Sequence, residues 1–455
     1  MDSQGTEQTT DGKPLKQAKE RNENVLNTER NIMESVLERE NLKASLHAVK
    51  ANKGVAGIDG ISTVELSGHL TKHWKGIRRK LEESRYKPDP VKTVEIPKPG
   101  GGIRKLGIPT VTDRFIQQGL LQVLDGIFDP QMSEHSYGFR KGRSAHQAVK
   151  QMKHYVVEEG RNWVIDLDLK DFFNNINHDL LMYKVSQRVK DKRVLKLIGS
   201  YLRAGEMGVD GKVTRNGLKG TPQGGPLSPL LANIYLDALD KEMEARGLSF
   251  VRYADDITIY SKSERSAHRT MESLIRWIEK NLKLEVNEEK SQVRPPDQGS
   301  FLGYRVEDGK LALSEKSIER FKSKVREIWN ARWGVSSKER IAYWQSYLRG
   351  WWNYFKLTER EWDYTNYSGW IRRHMRKFIW QKWHNYKGRR NALRKLGVKG
   401  KRLKLANCSR GAWRVALALG TILTNKRLKE WGMQVPADLA EAQKETLEER
   451  ILLMT

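Results

Sequence analysis

The stretch FVRYADDITIY, Phe250–Tyr260, sets two hydrophobic runs around an Asp-Asp pair. Phe250–Tyr253 and Ile257–Tyr260 carry aromatic and β-branched residues that fit a pleated, half-buried surface, and the link between them is short enough for a tight turn. The spacing predicts a hairpin with Asp255 and Asp256 at its tip. Two carboxylates held side by side repel each other unless a cation sits between them. Asp is also a common turn residue, so a solvated turn is the plainer alternative. The flanks argue against it: VRY and ITIY partly cover the turn with apolar groups, where two unpaired charges would cost several kcal/mol.

Upstream, WVIDLDLKDFF (Trp163–Phe173) offers a third carboxylate. Its alternation reads as a strand, and Asp166 and Asp168, two apart, fall on one face. Nucleotide polymerisation uses two hard cations about 3.5–4 Å apart, one activating the attacking hydroxyl and one holding the triphosphate and leaving oxygen. One Asp from this strand and the pair from the hairpin supply oxygen ligands for such a clamp. For Asp166 a structural or solvated carboxylate is expected.

The surrounding composition suits a nucleic-acid partner. Lys and Arg outnumber Asp and Glu by 83 to 56, a net charge of +27, so the surface attracts a polyanion. A basic protein that binds RNA only as scaffolding would have the same composition. At 455 residues, two to four domains are expected. The single cysteine, Cys408, excludes intramolecular disulfides and a multi-cysteine zinc site within this sequence. No run approaches the roughly 20 apolar residues of a membrane span, and the polar start MDSQGTEQTTDGK is no signal peptide, so a soluble cytoplasmic protein is expected.

Local patterns fill in the rest. Apolar residues at helical spacing run from about Arg21 through Val25, Ile32, Met33, Val36 and Leu37. VKTVEIP, a PKPGGG turn and IRKLGIP read as a hairpin over 91–109. Residues 113–155 look helical, interrupted near SYGFRKGRS. After about residue 310 the chain is mostly helical. Nine of its 14 Trp lie between Trp329 and Trp383, and Tyr364–Lys429 holds 19 Lys or Arg with no Asp or Glu. Aromatics interleaved with cations suit a groove for bases and phosphates. A Trp-rich helical core with a solvated basic face is the alternative.

Several motifs together resemble bacterial group II intron-encoded reverse transcriptases with maturase function. DLKDFF (Asp168–Phe173), TPQGGPLSPLLANIYL (Thr221–Leu236), YADD, LEVNEEKS (Leu284–Ser291) and FLGY (Phe301–Tyr304) occur in the order and spacing of reverse transcriptase motifs. KGVAGIDG (Lys53–Gly60), IPKPGGGIRKLGIPTVTDR (Ile96–Arg114) and SYGFRKGRSAHQA (Ser136–Ala148) resemble the additional blocks of the intron proteins. RGWWNYF (Arg349–Phe355) is similar to their maturase, or thumb, region, and RGAWRVALA with TNKRLKEWGM (Arg410–Met433) to their DNA-binding tail. The resemblance covers roughly residues 30–435.

It implies an α+β right-hand polymerase: fingers, a palm with an antiparallel sheet, a helical thumb and a small basic helical C-terminal domain. The expected segments are an N-terminal extension (1–45), fingers (46–160), palm (161–306), thumb or maturase region (307–386) and a basic DNA-binding domain with an acidic tail (387–455). The implied function is RNA-directed DNA synthesis with dNTPs and two Mg²⁺ ions, or Mn²⁺, together with binding of a group II intron RNA for splicing and DNA insertion. The implied catalytic residues are Asp168, Asp255 and Asp256, with Asp168, Leu169, Asp255 and Asp256 as the metal set. Lys98 and Arg104 would hold the triphosphate. Phe173, or Phe172 with the roles reversed, would exclude a 2′-hydroxyl. Gln223 would touch nucleotide or template, and Lys290 would protonate or neutralise pyrophosphate; turn-amide and solvated-lysine roles are the alternatives. Arg349, Arg389, Arg390, Arg394 and Lys395 would contact nucleic acid. Longer relatives end in a His- and Cys-containing nuclease, which this sequence is expected to lack. A domesticated reverse transcriptase in phage defence or repair, and an RNA-binding splicing cofactor, are the rival readings.

Overall fold

The computed structural model describes residues 31–97, 102–208, 210–214, 217–409 and 411–452. The described residues form two compact units, one within residues 31–148 and 163–293, the other within 149–162 and 294–452.

The first unit opens on helices α1 (Ile32–Val36), α2 (Arg39–Asn52) and α3 (Leu66–Glu82). Of the helix expected from Arg21, the residues before Asn31 lie outside the described ones; Ile32, Met33, Val36 and Leu37 are buried. Strands β1 (Val91–Pro97) and β2 (Ile103–Ile108) form the expected hairpin, with Ile96 opposite Arg104. Thr110 caps α4 (Val111–Phe128), which is buried along most of its length. The chain then loops through SYGFRKGRS and enters α5 (Ala145–Val157), which begins in the first unit and ends in the second. That loop is built around Arg140, whose guanidinium bonds Asp129 and the carbonyls of Ser133 and Ser136.

Next come β3 (Trp163–Leu167), α6 (Phe172–Asn175), α7 (His178–Ser186) and α8 (Lys192–Leu202). The two-residue strands β4 (Glu206–Met207) and β5 (Val213–Thr214) extend the hairpin sheet in the order β2-β1-β4-β5. Helix α9 (Ser228–Ala245) leads to β6 (Ser249–Tyr253) and β7 (Asp256–Ser261), and α10 (Glu264–Leu282) to β8 (Gln292–Arg294). The central sheet runs β6-β7-β3-β8, with β7 antiparallel to both β6 and β3. Phe250, Val251, Ile257, Ile259 and Tyr260 are all buried, so this sheet is covered on both faces. On α10, Ala267, Leu274, Ile278 and Leu282 make one fully buried stripe at helical spacing. Burying a Leu or Ile of this kind stabilises by about 1.5–3 kcal/mol.

The second unit pairs β9 (Tyr304–Glu307) with β10 (Lys310–Leu313) and continues into α11 (Glu315–Ile328), α12 (Ser337–Phe355) and α13 (Glu361–Lys382). A capping box of Ser336 and Glu339 starts α12. Helix α14 (Tyr386–Lys395), a 3-10 segment (Gly400–Asn407), α15 (Ala412–Ala418), α16 (Asn425–Glu430) and α17 (Pro436–Leu452) follow. Trp329, Trp344 and Trp380 are fully buried and Trp352 nearly so. Trp333, Trp351, Trp370 and Trp383 pack partly buried against this core. The Trp cluster is therefore mainly core, and the groove reading of it fails. No helix among the described residues is long and apolar enough to cross a membrane. Mixed helix and antiparallel sheet make this an α+β protein, as the sequence implied.

Candidate active site

The carboxylates lie at the same end of the central sheet. Strand β3 delivers Asp168 just past its last paired residue, Leu167, which faces Ile257 on β7. Tyr253 pairs with Asp256, so the β6–β7 link is a two-residue turn of Ala254 and Asp255. Ala254 takes a left-handed φ of 59° there. Both hairpin strands are held in the core by their apolar residues, which is why the two carboxylates emerge together at its tip.

The electrostatics show that these groups are neighbours. Burial raises the pKa of Asp255 and the Asp168 charge adds to it, while the Arg104 and Arg252 cations pull it down. Asp256 keeps contact with solvent, yet the protein around it and then the Asp255, Asp168 and Asp166 charges push its carboxyl up to about 6. Lys290 places its ammonium 3.5 Å from Asp168 Oδ2. Ser291 Oγ accepts the Asp168 main-chain N–H at 3.1 Å. The expected nucleotide-side residues also converge by main-chain contacts. Thr221 N–H donates to the Phe173 carbonyl at 2.8 Å, and Gly107 N–H of β2 donates to the Gln223 carbonyl at 2.7 Å. A Cβ on Gly224 would lie 2.5 Å from the Gly107 oxygen, so only glycine lets the turn approach the hairpin this closely.

The donor set suits a hard divalent cation in kind: carboxylates that raise one another's pKa and whose repulsion a bound cation would relieve. Leu169 could add only its main-chain oxygen. Its neighbour Asp168 turns its carbonyl toward Asn287 N–H, 2.8 Å away, so strand alternation turns that of Leu169 to the opposite side, where β7 lies. As placed, however, no three acidic, His or Cys side chains among the described residues close on one point.

Of the other expected residues, Arg104 is exposed on the hairpin and Lys98 lies outside the described residues. Phe172 is 2% exposed, whereas Phe173 is half-buried at 5.2 Å between ring centroids. Arg349, Arg394 and Lys395 are exposed on the second unit. Arg390 is half-buried beside Tyr386, and Arg389 lies 4.4 Å over the Trp380 ring. Sequence reasoning missed Arg252, Asp240, Asn233 and Gly138, which lie beneath the Asp255 turn. The signal was available: an Arg inside a hydrophobic strand needs a buried partner.

The family described as "Reverse transcriptase (RNA-dependent DNA polymerase)" matches residues 96–306, and "Group II intron, maturase-specific domain" matches 318–397. Protein YkfC of Escherichia coli (strain K12) is 31% identical over 288 residues, covering 55% of this chain and 75% of that protein. Group II intron-encoded protein LtrA of Lactococcus lactis subsp. cremoris is 36% identical, over 53% of this chain and 39% of its own length. The putative COX1/OXI3 intron 1 protein of Saccharomyces cerevisiae is 32% identical, over 57% of this chain and 29% of its own length. The matches thus span most of YkfC but well under half of the other two. A reverse transcriptase match over 96–306, a maturase-specific match over 318–397 and these relatives agree: this chain belongs to the reverse transcriptase family, among the group II intron-encoded reverse transcriptase/maturases.

Proposed function

We propose that the chain copies RNA into DNA from dNTPs at the Asp168, Asp255 and Asp256 site, and that it binds a group II intron RNA to assist splicing and DNA insertion. The observation that carries the polymerase reading is the crowding of these three carboxylates, facing Arg104 and Lys290. Two Mg²⁺ ions, held by the three carboxylates and the Leu169 carbonyl, would supply the positive charge that activates the primer hydroxyl and steadies the leaving oxygen. Arg104 and Lys98 attract the triphosphate; a guanidinium can grip two of its oxygens at once. Phe173 limits space beside the sugar, and Gln223 meets the nucleotide or template from the glycine turn. Lys290, paired with Asp168, is free to swing to the pyrophosphate as it leaves. On the second unit, Arg349, Arg389, Arg390, Arg394 and Lys395 contribute to nucleic-acid binding.

The test is extension of a labelled DNA primer on an RNA template with dNTPs and Mg²⁺. Asp255→Asn is expected to lower extension by on the order of 10²–10³-fold, because charge stabilisation at the reacting phosphorus is lost. RNA affinity, which comes from distant cations, is expected to stay nearly constant. Equal loss of both would refute the assignment.

A further inference from the structure

The turn that carries Asp255 and Asp256 is gripped from inside the protein by a fully buried side chain. Arg252 is 0% exposed. Its Nε and Nη2 donate to the two oxygens of Asp240, at 2.7 and 2.5 Å. Its Nη1 donates to Asn233 Oδ1 at 2.9 Å and to the main-chain oxygen of Ala254 at 3.0 Å. Asp240 and Asn233 are themselves buried, and stand seven residues apart on α9, hence on one face of it. Asn233 Nδ2 in turn donates to the Gly138 carbonyl at 2.9 Å. A Cβ at Gly138 would fall 2.3 Å from Ala254 N, so this glycine is pressed directly against the turn. The same loop also bonds the Arg252 main chain, through the His135 carbonyl at 2.9 Å and the Tyr137 N–H at 2.8 Å.

Such a support has something to resist. Ala254 holds a left-handed φ that costs a residue with a Cβ, and the carboxylates that follow it repel each other. We infer that Arg252 is a positioning residue for catalysis: with Asp240 and Asn233 it fixes the Ala254 carbonyl and thereby aims the Asp255 and Asp256 carboxylates. The inference rests on the assignment of those carboxylates as the catalytic pair. Misaiming them weakens cation capture and the chemical step, while the dNTP contacts on the β1–β2 hairpin are untouched.

The experiment uses the full chain. Removing Arg252 alone would strand the buried Asp240 charge, so the decisive variant is the double substitution Arg252→Met with Asp240→Leu. It exchanges the buried ion pair for apolar groups of similar volume, so no buried charge is stranded, while Asn233 Oδ1 and the Ala254 carbonyl lose their Arg252 donor. Gly138→Ala is the second variant, because its methyl group pushes the turn while every charge remains. Thermal melting, affinity for an RNA–DNA template-primer, and kcat and dNTP KM across an MgCl₂ series are measured. Both variants are expected to melt a few degrees below wild type, the double variant because Asn233 Oδ1 and the Ala254 carbonyl lose a donor and Gly138→Ala because the turn must shift, yet to stay folded and bind template-primer near wild type, with kcat down roughly 10–100-fold, a raised Mg²⁺ requirement and an unchanged dNTP KM. A well-folded double variant with wild-type kcat and Mg²⁺ profile would overturn the inference. So would a Gly138→Ala variant in which template-primer affinity falls as far as kcat, since that marks a merely structural role. Asp255→Asn run alongside separates the two readings. Retained activity there defeats the carboxylate assignment, whereas an inactive Asp255→Asn beside a wild-type double variant defeats only the positioning role.

Discussion

Phe172 and Phe173 are adjacent rings with different surroundings. Phe172 packs into the core near Tyr235, and Phe173 stays half-buried where the glycine turn begins. Phe173→Val is therefore expected to admit ribonucleotides, raising rNTP against dNTP incorporation roughly tenfold or more. Phe172→Val should instead open a core cavity and cost on the order of 2 kcal/mol without changing sugar choice. Competition assays with both nucleotide types check this, and discrimination that changes only in Phe172→Val would move the gate to that ring. A second residue-scale prediction concerns Asp113, which is 1% exposed and accepts bonds from Tyr86 Oη at 2.8 Å, Thr110 Oγ1 at 2.8 Å and Asp89 N–H at 3.2 Å. Burial raises its carboxyl from 3.8 to about 6, with the Thr110 and Tyr86 hydrogen bonds opposing the rise. The folded chain thus holds this proton more tightly than the unfolded chain. Its contribution is full below about pH 4 and is lost as pH rises through about 6, a change on the order of 3 kcal/mol. Denaturant unfolding of wild type and Asp113→Asn from pH 4 to 7 should show their stability difference shift by that amount against wild type; a flat difference would count against it. Asp255 and Asp256 were legible because paired acids between apolar runs are rare without purpose. Arg252 was not, because in VRY it reads as one polar residue on a strand flank, and only the packing of α9 shows what it meets.

Among the elements, the hairpins and the β3 strand followed from alternation, and the SYGFRKGRS break in the 113–155 helical stretch followed from its glycines. The helices after residue 310 were legible as helices but not in their purpose, because Trp alternating with Lys and Arg has the same pattern in a core as in a binding groove. Arg340 shows why. It is fully buried in α12, lies 4.4 Å over Phe378 and 5.0 Å over Trp333, and donates to the carbonyls of Asn330 at 2.7 Å and Trp333 at 2.8 Å as well as to that of Ile328. A cation here closes the C-terminal end of α11, where helical carbonyls lack partners and carry partial negative charge. Sequence marks Arg340 only as one more basic residue. Arg340→Met is expected to destabilise the second unit by about 1–3 kcal/mol through orphaned carbonyls, as read by thermal or denaturant unfolding. A neutral outcome would mean that water replaces the guanidinium.

Over the whole molecule, a charge of +27 predicts nucleic-acid binding that weakens steeply with salt. Each phosphate contact adds about −0.9 to the log–log slope on duplex DNA and about −0.7 on single strands. Arg394 and Lys395 are exposed on α14, so neutralising both should flatten the slope on duplex DNA by up to about 2. Arg389 covers Trp380 and its buried Nε has no partner among the described residues, so Arg389→Ala should cost stability more than slope. Affinity titrations across a KCl series distinguish the two, and an unchanged slope in the Arg394 and Lys395 variant would mean that these side chains meet no phosphate. What no pattern in the sequence announced is that the units are interleaved along the chain: residues 149–162 belong with 294–452, not with their neighbours in sequence. Lys153 finds its partner Glu359 at 2.7 Å, 206 positions later. On a ribosome adding roughly 5–20 residues per second, that early segment emerges about 10–40 s before the residues it docks against. Strand β3, which leads into Asp168, follows immediately behind it and waits for α9 and the YADD hairpin in the same interval. Nascent chains must therefore keep two unfinished surfaces apart at once, and the maturase-bearing half cannot be cut away, exchanged or appended as a cassette at a single junction without leaving a strip of itself behind.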